Sequence, residues 1–170
     1  MQARFGAKER SVPNKDCKEQ ILCQIRQEWV AAHPEEKVRQ KLIDFMVHHR
    51  GFPAGLIAVE KALQQMPHLS TSTMDIPQRR ADVLCFGKGI HRDYDLYPLL
   101  LVECKAVSIT PKVINQVVGY NRTLQAFFVA VANQEQVMTG WFDHNTKEYT
   151  FIPKLPSYEE LLHWTTASSL

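Results

Sequence analysis

The sequence predicts an α/β fold with the core order helix, three strands, helix, strand. Three observations predict it. Two segments open on a proline and continue with helical character, at 34 and at 111; aliphatic and β-branched runs separate and follow them; and 170 residues with 45% hydrophobic content suit one well-packed domain and are too few for two ordinary ones. The expected organisation is a single domain over 1–170, with an N-terminal extension (1–33), a core (34–153) and a C-terminal helix and tail (154–170).

The opening EQILCQIRQEWVAA fits either a helix or an alternating strand. PEEKVRQKLIDFMVHH, 34–49, begins with a proline suited to a first helical turn and with acids suited to the positive end of the helix dipole. Val38, Leu42, Phe45 and Met46 fall on one stripe, and GFP at 51–53 ends the helix. Strands are expected at 56–63 (LIAVEKAL), 81–86 (ADVLCF) and 99–106 (LLLVECKA), the last two joined through GKGIHRDYDLYP. PKVINQVVGYNRTLQA, from 111, is the second helix. FFVAVAN (127–133), VMTGWFDH (137–144) and EYTFIP (148–153) read as strands, and SYEELLHWTTA as a short amphipathic helix.

Twenty basic and 18 acidic residues leave a net charge of +2, so any contact with nucleic acid must come from a local patch. Cys17, Cys23, Cys85 and Cys104 contain no CxxC pair, and two of them fall in strands, which favours a reducing compartment. With no membrane-length apolar run, a cytoplasmic location is expected. His48 and His49 sit where cations suit a helix C-terminus, and the histidine spacings do not suggest zinc.

LLLVECKA poses the chemical question. Four aliphatic residues belong to a buried strand, yet Glu103 and Lys105 follow two positions apart, on one face. A Glu–Lys pair at a wet strand end would explain them and would contribute only about 0 to 1 kcal/mol. Asp82, at the start of the neighbouring strand, changes the reading. If the two strands are adjacent, Asp82 can share a face with Glu103, and two carboxylates beside an ammonium make a site for a hard divalent cation. Such an ion acidifies bound water and offsets charge on a phosphodiester.

An acid on one strand followed by ExK on the next resembles the PD-(D/E)XK nuclease superfamily, and QVVGY, Gln116 to Tyr120, resembles the QxxxY motif of its RecB-like branch. HPEEKVRQKLIDFMVHHRGFPAGLIAVEKAL, RRADVLCF, PLLLVECKA and VINQVVGYN resemble, in order and spacing over 33–133, the N-terminal nuclease domain of type I restriction enzyme R subunits and its small standalone relatives. The resemblance implies a restriction-endonuclease-like mixed sheet flanked by helices, with Mg²⁺- or Mn²⁺-dependent endonucleolytic cleavage of DNA. It implies that Asp82 and Glu103 bind metal, that Lys105 is the catalytic lysine and that Gln116 positions substrate or the lysine. A first-helix acid often completes the site. Glu35, in line with Val38 and Leu42, is expected to face the sheet and is preferred, while Glu36 reads as a solvated first-turn acid.

Ala81 stands where the family name has proline, and no GxxxxGK[ST] loop occurs, so the chain is not expected to translocate DNA. Glu60 reads as a plain strand polar residue in preference to one that approaches the metal cleft. Burial should raise the pKa of Cys104, which points away from its charged neighbours. Arg79, Arg80, Lys112 and Arg122, with Tyr120 of the QxxxY motif, are the candidate nucleic-acid contacts, and Arg39 is a further phosphate-binding candidate. Double-strand cleavage would favour a homodimer or a larger partner complex. DNA against RNA stays open, as does endonuclease against exonuclease action. The competing reading is a non-cleaving module that keeps the fold and binds nucleic acid or protein.

Overall fold

The computed structural model describes residues 19–69, 76 and 78–167. Cys17, most of the expected N-terminal extension and most of the Ser/Thr-rich loop after Leu69 lie outside the described residues. The ambiguous opening forms a hairpin, β1 (Gln20–Cys23) and β2 (Glu28–Ala31), paired antiparallel with Leu22 opposite Trp29. Its alternation is what decides: Cys23 is fully buried while Leu22 and Trp29 stay exposed.

Helix α1 (Pro34–His49) starts at its proline, and its end is closed by the Arg50 and Phe52 amides donating to the Met46 carbonyl. Gly51 sits there at φ +69, the left-handed conformation common after a helix. Strand β3 (Ile57–Ala62) follows, then β4 (Arg80–His91) and β5 (Tyr94–Cys104). The segment expected to be their loop is itself mostly strand. His91 pairs with Tyr94, so only Arg92 and Asp93 turn; Gly87 and Lys88 are paired in the ladder, and a register shift between Lys88 and His91 takes up Gly89. Stacking of His91 on Tyr97, with ring centres 4.3 Å apart, supports the extended hairpin.

Helix α2 (Pro111–Leu124) crosses from β5 to β6 (Phe128–Ala132), followed by β7 (Val137–Asp143), β8 (Glu148–Ile152) and α3 (Tyr158–Ala167). The sheet order is β3-β4-β5-β6-β7-β8, with β5 and β6 parallel and every other neighbouring pair antiparallel. Six strands with helices on the faces make the mixed, restriction-endonuclease-like α/β arrangement.

Side chains leave alternate faces of this sheet into two cores. Val83, Cys85, Leu100, Val102 and Cys104 pack with Val38, Leu42, Ile43 and Met46 of α1 and with Leu161 of α3. Leu84, Leu101, Val129 and Val131 pack with Val117, Tyr120 and Leu124 of α2. That is why 99–102 carries no polar residue: both faces of β5 are covered, and each buried aliphatic side chain contributes about 1.5–3 kcal/mol. On the α2 side the cover ends at residue 103, while Cys104 on the other face stays fully buried.

Candidate metal centre

Glu103 follows Leu101, the last fully covered residue on its face of β5; its side chain is 16% exposed, and that of Lys105 beside it 18%. The Lys105 Nζ donates to Glu103 Oε1 at 2.7 Å, so the two share a face as the alternation requires. Gln116 Nε2 donates to the same Oε1 at 3.3 Å, tying α2 to the strand end. Burial pushes the Glu103 carboxyl above its ordinary range; Lys105 opposes this, while the negative charges of Asp82 and Glu35 add to it. Burial alone would lower the Lys105 pKa, but the Glu103 carboxylate reverses the direction and holds the ammonium charged.

Strand register brings Asp82 alongside. Val83 pairs with Val102 and Leu84 with Leu101, and Asp82, the next residue along β4, lies close enough for its charge to act on Glu103. Its Oδ2 accepts the Cys104 amide at 2.8 Å, and its Oδ1 accepts Arg39 Nη2 at 3.0 Å. The carboxylate is thus pinned at both oxygens between the β5 backbone and α1. Burial, with Asp82 next, pushes the Cys104 thiol up, consistent with an inert core cysteine.

The two first-helix acids are placed opposite to expectation. Glu35 is exposed and Glu36 is buried. Glu36, Arg39, Gln40, Ile43 and Met46, at i, i+3, i+4, i+7 and i+10, form a row of α1 that is buried throughout, and Glu35 flanks it. Glu36 is fully engaged there, accepting from Arg39 and from Gln40 Nε2 at 2.7 Å. The exposed Glu35 remains close enough for its charge to act on Glu103 and Lys105.

Two further residues depart from the sequence reading. Arg39 is only 6% exposed and carries Glu36, Glu60 and Asp82, so it is not a phosphate contact. Glu60 is ion-paired with Arg26 at 2.7 Å and with Arg39 at 3.5 Å instead of standing as a plain strand residue. A hint of the Arg39 cluster was legible, since Glu36 and Arg39 are i, i+3 polar residues in a helix whose neighbouring stripe is apolar. Nothing in the sequence marks Glu60.

Arg79, Arg80, Glu103, Gln116 and Tyr120 line a cavity of about 150 Å³, and Asp82 is not among its lining residues. Gln116 and Tyr120 reach it together because they are i, i+4 on α2. Lys112 is exposed one turn before Gln116 and does not line the cavity. Arg122 is exposed about 200° around the helix from Tyr120, at 100° per residue, and the structure does not bring it to the site.

Tyr120 is 8% exposed, and its buried hydroxyl has no hydrogen-bond partner. Burial raises its pKa, and the negative charge of Glu103 raises it further. An unpartnered buried hydroxyl costs stability, about 1–3 kcal/mol. Tyr120→Phe is therefore expected to keep or raise the melting temperature, and a thermal melt that shows it clearly lowered would mean that the hydroxyl has a stabilising partner.

The hard oxygen donors at this end of the sheet are the carboxylates of Asp82 and Glu103. No three His, Cys, Asp or Glu side chains among the described residues form a group that could hold an ion. Mg²⁺ commonly takes one or two carboxylates and completes its shell with water and substrate oxygens.

Residues 34–156 match a family model described as the type I restriction enzyme R protein N terminus. No curated protein and no solved structure matches the chain.

Proposed function

The chain belongs to the type I restriction enzyme R protein N-terminal family, and from that premise we propose that it is a Mg²⁺- or Mn²⁺-dependent deoxyribonuclease of the PD-(D/E)XK type, acting endonucleolytically on DNA. The observation that carries the reading is the convergence of Asp82 and Glu103 at one end of the sheet, with the Lys105 ammonium 2.7 Å from Glu103.

Asp82 and Glu103 would hold the ion through their oxygens. When bound, the ion lowers the pKa of water and offsets charge developing on the phosphodiester. Lys105 supplies a fixed positive charge at the same place and orients the Glu103 carboxylate, and Gln116 braces that carboxylate from α2. Arg79 and Arg80, exposed on the cavity rim, contact the phosphates of the strand, with Lys112 one turn away and the Tyr120 hydroxyl inside. One centre cuts one strand, so double-strand cleavage takes two copies or a larger partner complex. No helix among the described residues is long and apolar enough to cross a membrane. The buried free thiols Cys23, Cys85 and Cys104 suit a cytoplasmic setting.

The test is incubation with supercoiled plasmid in Mg²⁺ or Mn²⁺, with EDTA and with Asp82→Asn. Nicking by the wild type alone, lost in both controls, is expected. Equal outcomes for wild type and variant would remove the catalytic assignment.

One observation favours a second reading. Both oxygens of Asp82 already have donors, Arg39 and the Cys104 amide, an arrangement that also suits a non-cleaving module. DNA retention indifferent to EDTA and to Asp82→Asn would decide for it.

A further inference from the structure

Arg39 is the most heavily engaged cation among the described residues. Its Nη1 faces Glu36 Oε2 and, at 3.5 Å, Glu60 Oε1; its Nη2 donates to Asp82 Oδ1 at 3.0 Å. Three carboxylates from α1, β3 and β4 thus share one guanidinium whose side chain is 7% exposed. Beyond it, Arg26 Nη1 holds the other oxygen of Glu60 at 2.7 Å, and Gln40 holds Glu36 while its Oε1 accepts the Gln24 amide at 3.0 Å. The chain of contacts runs from the β1–β2 turn to Asp82.

A second, independent feature lies on the same path. Glu60 has φ +48 inside strand β3, a left-handed conformation that costs a non-glycine residue on the order of 1–3 kcal/mol. The ladder pairs Val59 with Val83 and Lys61 with Ala81, and the step between them, Glu60 with Asp82, is missing. The backbone is therefore distorted at the one residue that steadies Arg39 from β3, directly across from the acid that Arg39 holds. Strain of this kind persists where surrounding structure over-determines it, and it collects at functional sites.

We propose that Arg39, braced by Glu36 and Glu60, is the positioning residue that fixes the Asp82 carboxylate for cation binding. The inference rests on the metal-centre reading above and adds to it. Asp82 and Glu103 repel each other when no ion lies between them, and a free Asp82 side chain would rotate away. Arg39 opposes that rotation by gripping Oδ1 while the Cys104 amide grips Oδ2. Each oxygen keeps a lone pair for an ion. The planar guanidinium can meet Asp82 on one nitrogen and Glu36 and Glu60 on the other, which a lysine ammonium, a single point charge, cannot do in this geometry. Arg39 touches neither ion nor substrate in this scheme.

The test is Mn²⁺ titration calorimetry on the full chain, without DNA, for wild type, Arg39→Lys, Arg39→Met and Glu60→Gln, with circular dichroism on each. Arg39→Lys keeps the charge and loses the fork, so it is expected to weaken Mn²⁺ binding about 10–100-fold, as loss of a ligand's orienting partner typically does. Glu60→Gln is expected to weaken it in the same direction, and it keeps the test open if both Arg39 variants fail to fold. Wild-type affinity in a folded Arg39→Lys or Glu60→Gln protein would show a purely structural cluster. Tighter binding in Arg39→Met would show that the guanidinium competes for the site. Either result overturns the positioning role alone, whereas no Mn²⁺ binding by wild type overturns it together with the metal centre.

Discussion

Glu103→Gln is expected to reduce metal-dependent DNA cleavage by about 10³-fold, the scale of losing a main electrostatic contact to a reacting group, while the protein stays folded. The second half of that expectation follows from the site's own electrostatics. Burial disfavours the Glu103 carboxylate, and Asp82 and Glu35 disfavour it further, leaving Lys105 and Gln116 as its described partners. A neutral amide of the same shape removes the repulsion and can still accept from Lys105. The melting temperature of the metal-free variant should therefore equal or exceed that of the wild type. Adding Mn²⁺ separates the two proteins again: an ion that binds only the folded state stabilises by about 2.7 kcal/mol at a hundred times its dissociation constant. Wild type should shift upward in a thermal melt with Mn²⁺, and Glu103→Gln should not. A variant that cleaves at the wild-type rate would take Glu103 out of the chemistry.

Leu101→Ala is expected to do the reverse, costing about 2–5 kcal/mol of stability and leaving the ion affinity of the surviving folded protein unchanged. Leu101 has no solvent exposure and packs in the α2-side core with Leu84, Val117, Tyr120 and Val129. Truncation leaves a cavity beneath α2 that the rigid sheet cannot collapse to fill. Domains of this size are stable by roughly 5–15 kcal/mol, so the loss is a large fraction of the total and readily seen in the urea midpoint. Asp82 and Glu103 are oriented by Arg39, the Cys104 amide, Lys105 and Gln116, none of which Leu101 holds directly. Mn²⁺ affinity falling in parallel with stability would show that site geometry depends on the core beneath it.

The two variants contrast the kinds of information the chain carries. Periodicity and punctuation were legible because they are local. Pro34 and Pro111 start their helices where they stand, and α1 ends at His49 as GFP requires. The pair Glu103 and Lys105 was legible too, because alternation along a strand needs no knowledge of what the strand packs against. The opening hairpin was half legible: EQILCQIRQEWVAA carries both periods, and burial of Cys23 on one side chose between them. The β4–β5 connection was legible as a hairpin but its shortness was not, because Gly, Asp and Pro mark a turn only where cross-strand pairing does not absorb them, and here pairing continues to His91 and Tyr94.

By itself the sequence determined the order of elements, the strand that ends in an acid and a base, and the helix carrying Gln116 and Tyr120 on one face. Tertiary structure decided which first-helix acid is covered, that Arg39 turns inward to bind three carboxylates, that Glu60 joins it, and that Arg122 points away from the cavity. The reason is the range of the forces. Backbone hydrogen bonding and side-chain alternation act over a few residues and leave a periodic trace. The orientation of a charged side chain is set by whichever opposite charges distant segments bring within about 4 Å, and residues 36, 39, 60 and 82 meet only after α1, β3 and β4 have packed.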